Sequence, residues 1–194
     1  MPDTEHTPKR IVVGITGASG AIYGVRLLRA LDAMAVETHL VITDPAEMTI
    51  TQELPVSPAD IRESASRAYA PDDLAAPIAS GSFATGGMIV APCSIKTLSG
   101  IANSYTDSLV IRAADVTLKE GRPLILLVRE TPLHLGHLRL MVRAAENGAI
   151  IFPPVPAFYA RPTNVEEMVD QTVGRVLSRL GITNDLYGVW EGMG

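Results

Sequence analysis

The chain has 194 residues and a net charge of −5, with 47% hydrophobic and 19% charged residues. This length suits one α/β domain, and the hydrophobic content argues against wholesale disorder. The basic residues are scattered singly, which argues against a nucleic-acid-binding surface. The single cysteine, Cys93, excludes an internal disulfide and a four-cysteine zinc site.

The hydrophobic segments are too short to cross a membrane. The longest aliphatic run, Leu124 to Val128, is far below the ~20 residues of a membrane span. Residues 1–10 are polar and lack the apolar centre of a signal peptide. We therefore expect a cytoplasmic protein without a membrane span.

The first segments alternate between strand and helix. The β-branched run 11–15 predicts a buried strand, apolar residues at helical spacing predict a helix over 21–34, and 38–42 predicts a second strand. Such a βαβ unit builds a parallel sheet with right-handed crossovers. Because strand and helix continue to alternate along the chain, we expect an α/β fold.

The middle of the chain contains weaker patterns. Helices are predicted over 47–54 and 58–70, and a Pro-, Ala-, Ser- and Gly-rich loop over 71–87. A loop of this length is usually functional or disordered. A third strand is predicted over 88–91, ended by Pro92.

The second half contains clearer helix and strand boundaries, set by capping residues, glycines and prolines. The predicted elements are a helix from Ser94 to Ala102, a helix from Asp107 to Glu120, a strand over 124–128, a helix around 138–145 that ends by Gly148, a strand at 150–151 and a helix over 164–180.

Small, hydroxylic and charged residues follow the predicted strands. In open parallel sheets, ligands bind beyond the carboxyl ends of the strands, so these residues are expected to meet at one edge. They are, in strand order, Gly17-Ala18-Ser19-Gly20, Thr43-Asp44, Pro92-Cys93-Ser94 and Arg129-Glu130. An anionic ligand with a phosphate group fits this set, because small residues and a following helix start favour an anion.

The glycine-rich turn is not specific by itself. Its spacing, Gly14-x-x-Gly17-x-x-Gly20, differs from G-x-G-x-x-G, and no Gly-Lys-Ser/Thr follows. A tight strand–helix turn without a ligand is the alternative interpretation. Asp44 fits either a ribose-binding acid or, as we favour, a solvated turn residue. The Ser94 and Thr97 hydroxyls fit a helix cap, a ligand contact, or both.

Other reactive side chains have simpler interpretations. His134 and His137 have the spacing of a metal pair, but no third ligand is nearby, so we predict no metal. Cys93 follows a buried strand and is expected to be a core residue.

The helical spacing of two basic residues, taken alone, predicts ordinary surface roles for them. Lys119 is spaced to pair with Asp115 along a helix, and Arg175 lies at the edge of the apolar stripe of the last helix.

Several blocks together resemble the UbiX-type flavin prenyltransferases over roughly residues 10–180. They are Gly17-Ala18-Ser19-Gly20-Ala21-x-Tyr23-Gly24, Pro92-Cys93-Ser94-Ile95-Lys96-Thr97-Leu98, Arg112-Ala113-Ala114-Asp115-Val116-x-Leu118-Lys119-Glu120, Val128-Arg129-Glu130-Thr131-Pro132-Leu133 and Pro153-Pro154-x-Pro156-Ala157-Phe158-Tyr159.

The resemblance implies a flavodoxin-like or Rossmann-like doubly wound parallel sheet in a three-layer αβα single domain. The flavin-binding domain would span 10–181, after an extended or disordered tail over 1–9, with a C-terminal tail over 182–194 that packs near the site. Members assemble as homododecamers.

The resemblance also implies an activity. Members join the dimethylallyl group of dimethylallyl monophosphate to N5 and C6 of reduced FMN without a metal. The product, prenylated FMN, serves a UbiD-type decarboxylase, and older descriptions call such proteins 3-polyprenyl-4-hydroxybenzoate decarboxylases.

Residue roles follow from the same resemblance. The implied FMN contacts are Gly17, Ala18, Ser19, Thr43, Ser94, Ile95, Lys96, Thr97 and Arg129. The implied prenyl-phosphate group is Lys119, Arg129, Glu130, Tyr159 and Arg175, with Trp190 as an aromatic residue near the site. Ser19 and Glu53 resemble a pair that assists proton movement near N5, and Glu130 would donate to the phosphate or orient the cations.

The chain departs from the family pattern at two positions. Members often have Ser where Thr43 stands, which keeps the hydroxyl, and Lys where Asp44 stands, so no charge role is transferred there. Two alternatives stay open: an FMN-dependent decarboxylase of the cysteine-decarboxylase type, and a non-catalytic FMN carrier. The first is disfavoured because Pro92–Thr97 occupies the place of the expected Asn-containing turn.

Overall fold

A parallel sheet forms the centre of the structure, a computed structural model that describes residues 10–190 and 192. Its strands are β1 (Arg10–Ile15), β2 (Glu37–Ile42), β3 (Arg67–Tyr69), β4 (Met88–Cys93), β5 (Leu124–Val128) and β6 (Ile150–Ile151). The six strands are ordered β3-β2-β1-β4-β5-β6, and every pair is parallel. The strand order reverses between β1 and β4, which confirms the doubly wound sheet.

Helices cover both faces of this sheet. They are α1 (Ala21–Ala33), α2 (Asp44–Glu53), α3 (Pro58–Glu63), α4 (Ile95–Ala102), α5 (Leu109–Lys119), α6 (Leu135–Glu146) and α7 (Val165–Arg179). Helices α1 and α7 pack together over one face, and α4 packs with α5 and α6 over the other. The predicted three-layer αβα architecture is therefore confirmed.

The two cores follow from the alternation of side chains along each strand. In β1, Ile11, Val13 and Ile15 enter the core under α1 and α7, and Val12 enters the core under α5. Buried hydrophobic residues on both faces explain the continuous apolar runs of the central strands.

The helix predicted over 58–70 is wrong in its second half. Helix α3 ends at Glu63, and residues 67–69 form the edge strand β3. Ser66 and Thr38 exchange two hydrogen bonds of 3.0 Å, each between a backbone N–H and the other hydroxyl. Pairing with β2 overrides the weak local preference for helix, because strand formation depends on neighbours distant in sequence.

Smaller boundaries also differ. The helix predicted from Asp107 begins after Ser108 and ends at Lys119. Strand β4 continues through Pro92 to Cys93, with an irregular register against β5 after Val90. The loop over 71–87 contains a 3₁₀ turn at Pro77–Ala79.

The predicted tails are covered only in part. The 1–9 segment lies outside the described residues. The side-chain amide of Asn184 donates to the Gly174 carbonyl over 3.1 Å, so the described part of the C-terminal tail packs on α7. The domain limits at 10 and 181 stay predictions. Among the described helices, none combines the length and hydrophobicity of a membrane span.

Candidate functional site

A cleft of about 720 Å³ opens at the carboxyl ends of the central strands. Residues that follow β1, β2, β4 and β5 line one side of it: Gly17, Ala18, Ser19, Thr43, Asp44, Pro45, Ser94, Ile95, Lys96, Thr97, Arg129 and Glu130. All the residues predicted as flavin contacts are in this set. The cleft lies where the strand order reverses, as expected for a ligand site in a doubly wound sheet.

The other side of the cleft was not foreseen from the sequence. It consists of Pro71, Asp72, Asp107, Ser108, Val110 and Ile111. The Leu109 N–H donates to the Pro71 carbonyl over 2.8 Å and joins the loop after β3 to the start of α5. In the sequence, only the length of the 71–87 loop indicates this wall, because the hydrogen bond joins residues that are far apart in the chain.

The cleft contains two cations, Lys96 and Arg129. Within the described part of the chain, the side chains of Lys96 and Arg129 make no hydrogen bond or ion pair. The Thr43 hydroxyl is buried in the cleft wall, also without a partner among the described residues. Unpaired cations and a buried unpaired hydroxyl fit a polar, anionic ligand such as FMN, because buried polar groups are normally hydrogen-bonded.

The start of α1 is occupied by the protein's own carboxylate. Glu53 accepts hydrogen bonds from the Gly20 and Ala21 N–H groups over 2.8 and 3.2 Å. A carboxylate in this position satisfies the first amides and interacts favourably with the helix dipole. The glycine-rich turn therefore meets the cleft through Gly17 to Ser19 rather than through these amides.

The start of α4 faces the cleft without such a carboxylate. Ser94 caps the helix by accepting from the Thr97 N–H over 3.3 Å, which confirms the predicted cap. The first turn of α4 contains no acidic residue, and it contains Lys96. The positive end of this helix is thus suited to a phosphate.

Buried Thr16 fixes the start of α4 relative to β1. Its hydroxyl donates to the Pro92 carbonyl over 2.8 Å and accepts from the Ser94 N–H over 2.8 Å. This pair of bonds ties two walls of the cleft to each other, so their spacing is set by the core.

The turn after β1 needs glycine at two positions. A Cβ on Gly17 would lie 2.4 Å from the Pro45 Cβ, and Gly20 has a φ of +102°. The first glycine permits the close approach of the turn to α2, and the second permits a left-handed backbone before α1.

A smaller pocket of about 230 Å³ lies between α7 and the segment after β6. Its lining is mostly apolar: Ile151, Phe152, Pro153, Val155, Ala157, Gln171, Thr172 and Arg175. Burial raises the pKa of Tyr23, and the Arg129 charge and the Thr172 side chain oppose this effect. Tyr23 therefore lies near one residue of each lining.

Some predicted substrate residues lie apart from the cleft. Lys119 forms an ion pair with Glu120 at the end of α5, so its predicted pairing with Asp115 is wrong. Asp115 instead pairs with Arg112 over 3.2 Å, because these residues are three apart on the helix.

Two aromatic residues contact each other outside the cleft lining. The rings of Tyr159 and Trp190 are 5.7 Å apart in an edge-to-face arrangement, and both are exposed. Arg175 lies over the Tyr187 ring at 5.8 Å. Glu53 acts at the start of α1 and does not line the cleft.

The remaining candidates behave as simple structural residues. The His134 and His137 rings contact each other with centroids 3.6 Å apart and planes tilted by 35°, and no metal-binding group of three is present among the described residues. Cys93 is fully buried, as predicted, and burial raises the pKa of its thiol. A buried thiol of this kind is a poor nucleophile.

The sequence is similar to those of known flavoproteins and flavin prenyltransferases. The family model for flavoproteins matches residues 1–177. The flavin prenyltransferase UbiX of Escherichia coli K12 is 58% identical over 187 residues, covering 95% of this chain and 99% of that protein. The Thauera aromatica UbiX is 55% identical over 183 residues, covering 94% of each.

The fold is also similar to those of solved UbiX structures. A UbiX protein in complex with FMN and dimethylallyl pyrophosphate superposes with a TM-score of 0.94 at 47% identity, over 96% of this chain and 99% of that one. A dodecameric FMN-dependent UbiX-like decarboxylase from Escherichia coli O157:H7 gives 0.92 at 49% identity, over 94% and 100%. The cysteine decarboxylase SpaF, at 17% identity and a TM-score of 0.61, shares the fold alone. By its sequence and its fold, this chain belongs to the UbiX flavin prenyltransferase family.

Proposed function

We propose that this protein transfers the dimethylallyl group of dimethylallyl monophosphate to N5 and C6 of reduced FMN and so forms prenylated FMN. The observation that supports this most is a cleft in which Lys96 and Arg129 have no ionic partner among the described residues, together with a second, apolar pocket lined by Arg175. Two sites that each contain a cation suit a reaction between two phosphorylated molecules. The UbiX names of relatives 55–58% identical to the chain support the same activity.

The flavin phosphate is proposed to bind at the start of α4. Ser94 and Thr97 supply hydroxyls there, Lys96 supplies a cation, and the Ile95 and Lys96 N–H groups lie in the first turn of the helix, whereas Glu53 already occupies the start of α1. The Thr43 hydroxyl, unpaired among the described residues, would gain a partner from FMN. When bound in reduced form, FMN supplies the nucleophilic ring that accepts the prenyl group.

The cations are proposed to stabilise the leaving group. When the allylic C–O bond breaks, its electron pair moves to the phosphate, and Arg129 would stabilise that charge. Glu130, whose carboxylate accepts from the Thr131 N–H over 3.0 Å, would orient this group or donate to the phosphate when protonated. The allyl group becomes positive, and the faces of Tyr159 or Trp190 would stabilise it.

Ser19 and Glu53 are proposed to move the proton near N5. Glu53 is held by the amide of Gly20, the residue next to Ser19, and Ser19 itself lines the cleft. In this proposal the Glu53 carboxylate would act together with the Ser19 hydroxyl on the proton near N5. Holding the allyl carbon against the ring supplies further rate by proximity.

Neighbouring subunits are proposed to complete the site. Lys119, Tyr159 and Trp190 do not line the cleft of their own chain. Helix α6 exposes Leu135, Leu138 and Val142, a stripe suited to subunit contact. A homododecamer, as in the E. coli relative, would bury this stripe and bring such residues to a neighbour's cleft.

The product is proposed to be used by a UbiD-type decarboxylase, on the basis of the family. Adding the reaction mixture to such a decarboxylase that lacks its cofactor should restore decarboxylation. The cytoplasmic location stays a prediction, to be checked by cell fractionation.

Anaerobic incubation with reduced FMN and dimethylallyl monophosphate tests the activity. Mass spectrometry of the extracted flavin should show the addition of one dimethylallyl group. An unchanged flavin, with a UbiX control active in parallel, would count against prenyl transfer. Consumption of a peptidyl-cysteine carboxylate by the protein alone would favour the decarboxylase alternative, and delivery of unmodified FMN to a partner would favour the carrier.

A further inference from the structure

The smaller pocket contains a buried side chain to which the proposed reaction assigns no role. Gln171 is 5% exposed, and its Nε2 is buried without a hydrogen-bond partner among the described residues. A buried amide donor without a partner destabilises the folded protein, because it has lost its water and gained nothing in exchange. Such a group is best explained by a ligand that pairs with it.

The position of Gln171 indicates the chemistry of that ligand. It lies one helical turn before Arg175 on α7, so both side chains occupy the same face of the helix, and both line the pocket. Arg175 contacts the Tyr187 ring and forms no ion pair with the described carboxylates. An amide donor and an available cation on one wall fit an anionic head group.

The other walls of the pocket fit a short hydrocarbon. Phe152, Val155 and Ala157 supply apolar surface, and the volume of about 230 Å³ is much smaller than the 720 Å³ of the cleft. Together with the donor and cation, these walls suit a small isoprenoid phosphate.

The pocket is also close to the strand that leads into the cleft. Tyr23 lies near Thr172, the residue after Gln171, and near Arg129, since both oppose the rise that burial causes in its pKa. The Phe152 N–H donates to the Leu126 carbonyl over 2.8 Å, so the pocket wall is joined to β5, the strand that precedes Arg129. One wall of the pocket is therefore held against the strand that ends at the cleft.

We propose that Gln171 is a substrate-binding residue whose Nε2 donates a hydrogen bond to the phosphate of dimethylallyl monophosphate, beside Arg175. The inference rests on the proposed function and adds to it a residue that recognises the prenyl donor. The terminal bond of a glutamine side chain has broad, roughly two-fold preferences, so rotation presents Nε2 to the pocket without moving α7.

Gln171→Leu tests this role, because it keeps the size of the side chain and removes the donor. The KM for dimethylallyl monophosphate should rise about ten-fold or more, as expected for one hydrogen bond to a charged group. The Tm of the protein without substrate should stay equal or increase, because an unpaired buried donor is removed. The affinity for FMN, measured by fluorescence, should be unchanged. Gln171→Glu should raise the KM further by repelling the phosphate.

Arg179→Gln serves as the matched control, since Arg179 is exposed on the same helix and does not line the pocket. It should leave the KM at the wild-type value. A wild-type KM for Gln171→Leu would overturn the proposal. A lower Tm or a dissociated oligomer with an unchanged KM would assign the amide to a structural contact and would overturn it as well.

Calorimetry with dimethylallyl monophosphate and the FMN-loaded protein separates this inference from the proposed function. If the wild-type protein fails to prenylate FMN, the proposed function fails. In that case, a lower affinity of Gln171→Leu than of the wild type for dimethylallyl monophosphate still supports the role of Gln171. If the wild type prenylates FMN and both proteins bind the prenyl phosphate equally, only the inference about Gln171 fails.

Discussion

Arg129 shows how one residue connects fold and chemistry. It follows β5 directly, lines the cleft, and has no hydrogen-bonded or ionic side-chain partner among the described residues. A charge left available in a net-acidic chain is suited to an anionic ligand. Because its side chain forms no hydrogen bond or ion pair within the described fold, its removal should affect binding and rate much more than folding.

We expect Arg129→Gln to lower kcat/KM for prenylation by roughly 10- to 100-fold, as for the loss of one charge-assisted hydrogen bond. Its Tm should stay within about 1 °C of the wild type, which corresponds to a free-energy change well under 1 kcal/mol. Steady-state kinetics and differential scanning calorimetry measure the two effects. Arg29→Gln, an exposed arginine on α1, is the control. A large loss of Tm in Arg129→Gln would show that the arginine is structural.

Substitution of Glu53 distinguishes a helix-capping role from a catalytic role. Glu53→Gln keeps an oxygen acceptor for the Gly20 and Ala21 N–H groups but removes the charge. The helix-dipole contribution that is lost is about 0.3–1 kcal/mol, so the free energy of unfolding should fall slightly. If the carboxylate moves the proton near N5, kcat should fall by at least about 10²-fold. Denaturant unfolding and single-turnover kinetics check this split, and an unchanged kcat would leave Glu53 as a cap alone.

At the scale of elements, the edge strand β3 is a feature that local sequence patterns do not predict. Strand β3 is only three residues long, and its stability depends on contacts with β2. Buried His39 on β2 is 2.8 Å from the Tyr69 hydroxyl through Nδ1 and 2.9 Å from the Glu37 carboxylate through Nε2. No local pattern in residues 64–70 encodes these partners, so the segment was predicted as helix.

This buried histidine predicts a pH dependence. Burial lowers the pKa of His39, against the opposing effect of its bond to Glu37, and Arg10 and Arg67 add to the lowering. The unfolded chain, with a His pKa of about 6.5, then binds the proton more readily than the folded protein. Stability should therefore be full above pH 6.5 and decrease as the pH falls below it.

Thermal unfolding between pH 5 and 7.5 measures this dependence. His39→Gln should show a shallower fall in Tm toward acid than the wild type. His134→Asn, which changes an exposed histidine and keeps a capping side chain, should keep the wild-type slope. Equal slopes for the wild type and His39→Gln would exclude His39 as the source.

At the scale of the whole molecule, the cleft residues were predictable for a simple reason. Carboxyl ends of parallel strands meet at one edge, so residues after β1, β2, β4 and β5 had to converge. The wall formed by Pro71 and Asp107 was not predictable, because it depends on a loop docking on α5. The Gln171 pocket was also missed, since neither burial nor an unpaired amide is visible in the sequence.

If a neighbouring subunit completes each site, two impaired variants should complement each other in a mixed oligomer. If Lys119 acts in a neighbour's cleft, Lys119→Ala and Arg129→Ala should each be impaired as pure oligomers. Co-expressed in mixed oligomers, they should regain part of the activity, because some sites combine an intact Lys119 with an intact Arg129 from different chains. Activity of the purified mixed oligomer measures this. Activity no higher than the average of the two pure variants would place Lys119 outside the neighbour's site.

The cleft and the second pocket are proposed to join a prenyl group to FMN. The most direct measurement is a single anaerobic turnover with reduced FMN and dimethylallyl monophosphate, in which flavin mass and released phosphate are quantified together. We predict one added dimethylallyl group and one phosphate per flavin for the wild type, and neither for Arg129→Ala in the same time. Phosphate release without a change in flavin mass, or no reaction of the wild-type protein, would contradict the claim.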